Sequence, residues 1–261
     1  MKASDKMKIA AQLYTIRDFL KTPEDISISL KKVKQIGYHA IQVSGIGPIG
    51  NKELKEIADR EQLTICATHI PYADLTNNLD AVIEKHKIWN CKYVGLGGMP
   101  PGNRSSREGY ITFAKEASDI GRKLKQAGLH FFYHNHSFEF AKFDGKTGLE
   151  ILMEETDPED IEFLLDLYWV QSGGADPIEW INKLKGRMKL VHLKDFAVTS
   201  DMEQRFAEIG EGNMNYSRIL EACKQVGVEW APVEQDDCYG RNPFDCLATS
   251  FNYLKKLGLD V

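Results

Sequence analysis

Apolar runs of the kind that form buried strands alternate with amphipathic helical stretches along the whole 261-residue sequence. Successive runs begin about 32 residues apart on average, which is the length of a strand followed by its returning helix. The eight runs cover residues 8–14, 38–43, 63–69, 92–96, 130–134, 162–166, 188–192 and 230–234. Regular strand–helix alternation favours parallel strands, and eight such units favour a closed barrel. The sequence therefore predicts an α/β protein built as a single (β/α)8 barrel, or TIM barrel.

The length of the chain is consistent with this fold. A TIM barrel typically needs about 250 residues, although two domains of about 130 residues each have the same total length. No linker-like segment divides the sequence, so we predict one domain over residues 1–261. An open doubly wound sheet is the alternative, but its GxGxxG phosphate-binding fingerprint is missing, because residues 95–98 read Gly-Leu-Gly-Gly and residues 45–50 contain a proline.

Composition argues against several classes of protein. The formal net charge of −5 disfavours the basic surface that nucleic-acid-binding proteins need. No run approaches the ~18 consecutive apolar residues of a membrane span, and the charged N-terminal sequence lacks the apolar stretch of a signal peptide. We therefore expect a cytoplasmic protein with no nucleic-acid or membrane partner. The five cysteines have no CxxC spacing, so we expect reduced thiols.

Polar side chains gather at the C-terminal ends of the predicted strands, where TIM-barrel enzymes carry their active sites. These residues are His69, His134, His136, Asp166, His192 and Glu234. The last three close the sixth, seventh and eighth runs, so they should converge at the barrel mouth. A lone histidine near a strand end is more often structural. Two carboxylates and an imidazole that converge favour a site for one divalent metal ion, with Mn²⁺ as first choice and Mg²⁺, Co²⁺ or Zn²⁺ as alternatives.

The fifth predicted strand should supply a fourth ligand. Residues 133–140 there read Tyr-His-Asn-His-Ser-Phe-Glu-Phe. Glu139 could reach back from the loop, or His134 could bind from the strand end. His134 and His136 lie two residues apart and therefore share one face of the strand. The residues alone leave both ligand choices open.

Six motifs give the sequence a resemblance to a known family. They are residues 12–17 (Gln-Leu-Tyr-Thr-Ile-Arg), 133–140, 165–169 (Leu-Asp-Leu-Tyr-Trp), 191–195 (Val-His-Leu-Lys-Asp), 209–213 (Ile-Gly-Glu-Gly-Asn) and 233–240 (Val-Glu-Gln-Asp-Asp-Cys-Tyr-Gly). Together they resemble the xylose-isomerase-like TIM barrels of AP endonuclease family 2, and within them the sugar phosphate isomerase/epimerase group. The resemblance covers essentially the whole chain. It implies a divalent metal held by Glu, Asp, His and Glu from the last four strands, and a keto or hydroxy sugar as substrate.

Carried over by position, the resemblance assigns Asp166, His192 and Glu234 to the metal. The fifth strand departs from the pattern, because many relatives have Glu-Asn-His where this chain has His-Asn-His at 134–136. In the branch that the chain resembles most, we expect Glu139 to bind the metal and the histidines to face the substrate. This departure weakens the case for a simple epimerase mechanism with two glutamates.

The chemistry expected of such a site is proton abstraction next to a carbonyl, through a metal-stabilised enediolate. The predicted outcome is isomerisation or epimerisation of a keto-sugar or sugar phosphate. Glu234 is the candidate base on one face of the substrate, with His134 or His136 on the other. The candidate substrate-binding residues are His69, Lys194, Trp169, Tyr14 and Arg241. Lys194 could instead pair with Asp195 or Asp236, and the two aromatic residues could simply pack.

Three other functions are compatible with the same residues. A lyase or dehydratase would use the same enolate to eliminate a β-leaving group from a keto-inositol or 3-keto-glycoside, and the His-Asn-His sequence makes this credible. An abasic-site endonuclease would need more metal ligands and a positively charged groove. A non-catalytic sugar-binding barrel would have lost its metal. The expected partner is a small carbohydrate, and the habits of the family suggest a homodimer or homotetramer.

Overall fold

The computed structural model describes residues 7–259. Eight parallel strands form a closed barrel, in which each strand pairs with its neighbours in sequence order and the last pairs with the first. The barrel strands are β1 (Lys8–Gln12), β2 (Ala40–Val43), β3 (Thr64–His69), β4 (Tyr93–Leu96), β5 (His130–His134), β6 (Glu162–Asp166), β7 (Leu190–His192) and β8 (Trp230–Val233). The predicted barrel is confirmed, and each strand end lies within two residues of the predicted one.

Helices return the chain from the end of one strand to the start of the next. They are α1 (Pro23–Ile36), α2 (Asn51–Arg60), α3 (Tyr72–Asn77), α4 (Leu79–Trp89), α5 (Arg107–Gln126), α6 (Gly148–Glu155), α7 (Leu167–Ser172), α8 (Pro177–Lys183), α9 (Tyr216–Val226) and α10 (Pro243–Lys256). Short hairpins pair Lys142–Phe143 with Lys146–Thr147 and Asp195–Val198 with Gln204–Ala207. Among residues 7–259, no helix combines the length and apolar character that crossing a membrane requires.

Local sequence sets the ends of several helices. At the start of α1, the Asp25 N–H donates to the Thr22 hydroxyl and the Thr22 N–H donates to the Asp25 carboxylate, which forms a capping box. Thr147 and Glu150 form the same box at the start of α6. Gly37 follows α1 with φ of 124°, a backbone conformation that favours glycine. The two capping boxes thus fix where α1 and α6 begin, and Gly37 fixes where α1 ends and the chain turns back toward the barrel.

Side chains fill the barrel interior in two layers. The lower layer is apolar and consists of Ala10, Ala40, Cys66, Ala67, Tyr93, Phe132, Leu164 and Leu190. Because side chains two residues apart on a strand share a face, the next residues along these strands also point inward. Among these next residues are Gln12, Gln42, Gly95, His134, Asp166 and His192. The upper layer is therefore polar, and it lies at the C-terminal ends of the strands.

Gly95 on β4 leaves the space that Phe132 occupies in the lower layer. A Cβ atom at this position would lie 2.2 Å from Cζ of Phe132 and 2.4 Å from the carbonyl oxygen of Thr68. We expect Gly95→Ala to lower the free energy of unfolding by about 1–3 kcal/mol, the usual cost of overpacking a core. Gly102→Ala is the matched control, since no atom lies within 4 Å of its added Cβ. Thermal unfolding measures both, and equal melting temperatures would contradict this account of the interior.

Candidate metal centre

Four buried side chains from the last four barrel strands meet at the mouth. His134, Asp166 and His192 end β5, β6 and β7, and Glu234 directly follows β8. One potential ligand atom from each residue lies within 4.8 Å of those of the other three. None of the four residues is more than 5% exposed. The structure thus brings together Asp166, His192 and Glu234, which the sequence predicts as ligands, and His134, one of the two candidates for the fourth ligand.

The ring of His192 is held so that one nitrogen faces the carboxylates. Its Nε2 lies 2.7 Å from the Oε1 atom of Gln42, a fully buried residue on β2. Because a carboxamide oxygen can only accept, Nε2 carries a proton, and Nδ1 is the nitrogen left to face a metal ion. Burial opposes protonation of the ring, but Glu234 and Asp166 outweigh it and raise the pKa of His192. This Nδ1 lies 2.8 Å from Oε2 of Glu234 and 3.5 Å from Oδ2 of Asp166. A ring nitrogen this close to two carboxylate oxygens needs either a proton or a metal cation between it and them.

His134 is oriented in a similar way. Its Nδ1 lies 3.1 Å from the carbonyl oxygen of Gly97, so Nδ1 carries the proton and donates. Its Nε2 lies 3.1 Å from Oδ2 of Asp166. A carbonyl oxygen bonded to the remote nitrogen is a common way to orient a metal-binding histidine. The lone pair on Nε2 therefore points into the same cluster as Nδ1 of His192.

Lys194 supplies positive charge at this cluster. Its Nζ lies 3.0 Å from Oδ2 of Asp166, 2.8 Å from Oε2 of Glu234 and 3.0 Å from both carboxylate oxygens of Asp236. Burial alone would lower the pKa of Lys194, but the three carboxylates outweigh it and raise this pKa well above its ordinary value. Burial likewise opposes ionisation of Asp166 and Glu234, yet Lys194 and the histidines hold the pKa of both carboxyl groups below the usual range. Lys194 and these two carboxylates are therefore charged at neutral pH.

These observations fit a divalent ion held by His134, Asp166, His192 and Glu234. Two imidazole nitrogens and two carboxylate oxygens form a mixed donor set that suits Mn²⁺, Co²⁺ or Zn²⁺. The contact between Gln42 and His192 already fixes the ring nitrogen that would face the ion. The cluster therefore could bind a metal without rearrangement of its histidines.

Glu139 lies outside this cluster, contrary to the expectation from the family resemblance. The Tyr133 hydroxyl donates to its Oε1, and the His136 N–H donates to its Oε2 at 2.8 Å. Tyr133 alternates with Phe132 and His134 on β5, so it points away from the barrel interior into the surrounding core. Glu139 is thus held on the outer side of the strand, which revises the predicted ligand set in favour of His134. Burial raises the pKa of Glu139 to about 8.

A cavity of about 740 Å³ opens above the cluster. Six of the predicted site residues line it, namely Tyr14, His69, His134, His136, Lys194 and Glu234. Nε2 of His69 and Nδ1 of His136 have no hydrogen-bond partner among residues 7–259. Burial is the main cause that lowers the pKa of His136, to about 3, and that holds the pKa of His69 well below its ordinary value. Both rings are therefore neutral near pH 7 and can accept a proton.

Two predicted substrate-binding residues make other contacts. Trp169 packs beside His136, with ring centroids 5.4 Å apart, and against Phe206 at 5.6 Å. Arg241 forms an ion pair with Glu208, with Nη1 and Oε1 2.7 Å apart, and lines a neighbouring cavity instead of the one above the cluster. The placement of Arg241 therefore does not support direct contact with a substrate at the cluster.

Sequence reasoning missed several residues that shape the site. Gln42 orients His192. The inward position of Gln42 on β2 is the signal that could have identified it from the sequence. Arg17 and Arg104 line the cavity, where Nη2 of Arg17 donates to the carbonyl oxygen of Asp236 at 3.0 Å and Nε of Arg104 donates to that of Met99 at 2.8 Å. Arg17 lies in a short 3₁₀ helix that follows β1 and Arg104 in a turn after β4, so strand periodicity carries no signal for them.

Comparison with known proteins gives one family match and several partial relatives. The sequence profile of AP endonuclease family 2, described as a xylose isomerase-like TIM barrel, matches residues 30–257. The inosose dehydratase of Bacillus cereus (strain AH820) is 34% identical over 157 residues, which are 54% of this chain and 52% of that protein. The chain therefore spans about half the length of the curated relatives it matches.

Solved structures share the fold over nearly the whole chain. A sugar phosphate isomerase/epimerase from Parabacteroides distasonis ATCC 8503 has a TM-score of 0.79 at 24% identity, covering 98% of this chain and 96% of that one. An L-ribulose 3-epimerase has a TM-score of 0.74 at 15% identity, covering 97% and 94%. At these identities the likeness establishes the barrel fold.

Two substitutions distinguish the alternative fourth ligands. We expect His134→Ala to weaken Mn²⁺ binding by at least about tenfold, because it removes a donor that already faces the cluster. Glu139→Gln should leave the affinity within about twofold, because Glu139 lies on the outer side of β5. Isothermal titration of chelator-treated protein with MnCl₂ measures both. The opposite order of effects would restore Glu139 as the ligand.

Glu139 also predicts a pH dependence of stability. Its pKa in the folded protein is about 8, against an ordinary value of 4.5. Between these values the folded protein holds a proton that the unfolded chain has released, so stability should fall as the pH rises from about 5 to 8. Glu139→Gln mimics the protonated acid and should reduce this decline. Thermal unfolding of metal-free protein from pH 5 to 9 tests this, and parallel curves for both proteins would contradict it.

Proposed function

The chain belongs to the xylose isomerase-like TIM barrel family, and on this basis we propose that it is a divalent-metal-dependent carbohydrate isomerase or epimerase. One observation carries the proposal: the buried His134, Asp166, His192 and Glu234 cluster lies beneath a cavity of about 740 Å³. A cavity of this size accommodates a small carbohydrate. We further propose Mn²⁺ as the resident ion, on the grounds of the mixed nitrogen and oxygen donor set.

The ion would supply Lewis-acid polarisation of a carbonyl and an adjacent hydroxyl oxygen, which stabilises the negative charge formed when a neighbouring C–H proton is removed. The chain itself must then supply a base. His136 is the strongest candidate, because its neutral ring lines the cavity and its Nδ1 lacks a partner among the described residues. His69, with an unpaired Nε2 in the same cavity, is placed to hold a hydroxyl or to return a proton.

Glu234 and His134 take a different part in this proposal from the one the sequence suggests. Both residues are members of the four-residue cluster. Glu234 also contacts Lys194 and His192, and these groups hold the pKa of its carboxyl below the usual range. Its Oε2 already faces Lys194 and His192 and would bind the ion, so it is not free to take a proton from the substrate. We therefore assign Glu234 and His134 to metal binding and the proton transfer to His136.

Elimination is the second candidate outcome of the same enolate chemistry. The observation that favours it is the set of curated relatives, which are inosose dehydratases. In an elimination, one base removes the α-hydrogen and an acid protonates the departing β-hydroxyl or glycosidic oxygen. His136 can take both roles in turn, because the imidazolium formed when it removes the α-hydrogen is an acid that can protonate the departing oxygen, while His69 lines the same cavity and can contact the substrate.

Hydrogen exchange tests the shared first step. We expect the Mn²⁺-loaded protein to incorporate deuterium next to the carbonyl of at least one ketose, keto-inositol or 3-keto-glycoside in D₂O. Chelation should abolish exchange, and His136→Ala should slow it by about 10²–10⁴-fold, the usual contribution of a general base. His39→Ala is the matched control, because His39 is exposed and precedes β2 at the opposite end of the barrel. Absence of exchange with every substrate would contradict the proposed function.

The product of the same reaction distinguishes the two outcomes. Isomerisation or epimerisation yields a sugar with the same mass, whereas elimination yields an unsaturated ketone that absorbs in the ultraviolet and has lost the leaving group. Mass spectrometry and absorbance, followed on one sample, therefore decide between them.

A further inference from the structure

Lys194 binds the same carboxylate atoms that a metal ion at the cluster would use. Its Nζ contacts Oδ2 of Asp166 at 3.0 Å and Oε2 of Glu234 at 2.8 Å, and those two oxygens also face Nδ1 of His192. A divalent ion binds carboxylate oxygens at about 2.0–2.2 Å. An ion at that distance from both oxygens would lie next to the ammonium, and two cations in a buried site repel each other strongly. Lys194 and the ion therefore compete for these oxygens.

Asp236 offers Lys194 a second position. Both of its carboxylate oxygens lie 3.0 Å from Nζ, and Asp236 is not a member of the four-residue cluster. The same ammonium lies over the ring faces of Trp169 and Phe206, 5.7 Å and 5.8 Å from their centroids, where a cation–π contact is favourable. Lys194 can thus release Asp166 and Glu234 and still keep its ion pair with Asp236 and its contacts with the two aromatic rings.

The charges of the site support this division. Asp166, Glu234 and Asp236 carry three negative charges, and Lys194 neutralises one of them. A divalent ion at the cluster would neutralise the other two. With Lys194 on the partly buried Asp236 and the ion on the buried Asp166 and Glu234, each of the three carboxylates has a cation.

We propose that Lys194 and a divalent metal ion are alternative partners of Asp166 and Glu234, and that Asp236 is the positioning residue that holds Lys194 when the metal binds. The proposal rests on the metal site of the proposed function. It goes further, because it makes Lys194 the group that keeps the metal-free barrel stable and at the same time limits the affinity for metal. Removing Lys194 should therefore tighten metal binding and destabilise the metal-free protein.

A double-mutant cycle on Mn²⁺ binding tests the proposal. Isothermal titration with MnCl₂ is carried out on chelator-treated wild type, Lys194→Met, Asp236→Asn and the double variant. We expect Lys194→Met to bind Mn²⁺ at least about tenfold more tightly, within the range of ~5–150-fold usual for coupled sites. Asp236→Asn should bind about tenfold more weakly, because Lys194 then stays on Asp166 and Glu234. In the Lys194→Met background the same change should have a clearly smaller effect.

Two further variants serve as controls. Asp236→Glu keeps the carboxylate and should restore affinity to near the wild-type level. Lys189→Met removes a lysine that is 44% exposed and paired with Glu229, away from the metal site, and should leave affinity unchanged. A general effect of losing one positive charge would shift Lys189→Met as well, and that result would overturn the specific role of Lys194.

Stability gives an independent readout. Metal-free Lys194→Met should melt at a lower temperature than wild type, and Mn²⁺ should raise its melting temperature by more than it raises that of wild type. If Lys194→Met does not fold without metal but folds with it, the proposal is also supported. If it folds in neither condition, Asp236→Asn and Asp236→Glu decide, since both keep Lys194, and equal affinity of Asp236→Asn and wild type overturns the proposal.

The outcomes separate this proposal from the proposed function. If the wild type binds Mn²⁺ tightly and Lys194→Met binds it with the same or lower affinity, the proposed competition is overturned. The proposal of a metal-dependent enzyme then still stands. Failure of every variant to bind Mn²⁺, and likewise Mg²⁺, Co²⁺ and Zn²⁺, overturns both.

Discussion

Closure of eight parallel strands into a barrel is the constraint on which the rest of the structure depends. Every second side chain must enter one narrow interior, and the strand ends face one mouth. The same alternation that places Phe132 and Leu164 in the apolar lower layer therefore places His134 and Asp166, two residues later, at the mouth. Core and site are consecutive positions on the same strands. A substitution in one layer would consequently disturb the geometry of the other.

Buried charge is the second organising element. Asp166 and Glu234 are almost entirely removed from water, and each would lose its charge without nearby cations. Lys194 is the cation that meets this need, with polar contacts from the two histidines, so the carboxylates remain ionised. The hydrogen bonds from His192 to Gln42 and from His134 to the carbonyl oxygen of Gly97 hold both rings in place before any ion binds.

The fold and most of the cluster could be predicted because both follow from strand periodicity. Asp166 and His192 end apolar runs, and Glu234 directly follows the last strand, so knowing where those strands end is enough to place them. Glu139 follows the strand by five residues, and proximity in sequence does not determine on which side of β5 a loop residue lies. The hydrogen bond that Glu139 accepts from the outward-facing Tyr133 places it on the outer side, and no periodic sequence pattern predicts that bond. Arg17 and Arg104 were missed for the same reason, since a short 3₁₀ helix and a turn beyond the strand ends set their positions.

His134 at the end of β5 changes the chemistry available to this barrel. A glutamate there would add a negative charge, and a second carboxylate base, to a site that already contains three carboxylates around Lys194. A neutral imidazole instead leaves Asp166 and Glu234 with two charges, which one divalent ion balances. The base in the proposed reaction is then His136, whose pKa of about 3 makes it a weak proton acceptor. Weak basicity has to be offset by an acidic C–H bond in the substrate. On the proposed mechanism we therefore expect substrates whose hydrogen is activated by an adjacent ketone, such as keto-inositols, ketoses and 3-keto-glycosides, and not simple hydroxy sugars.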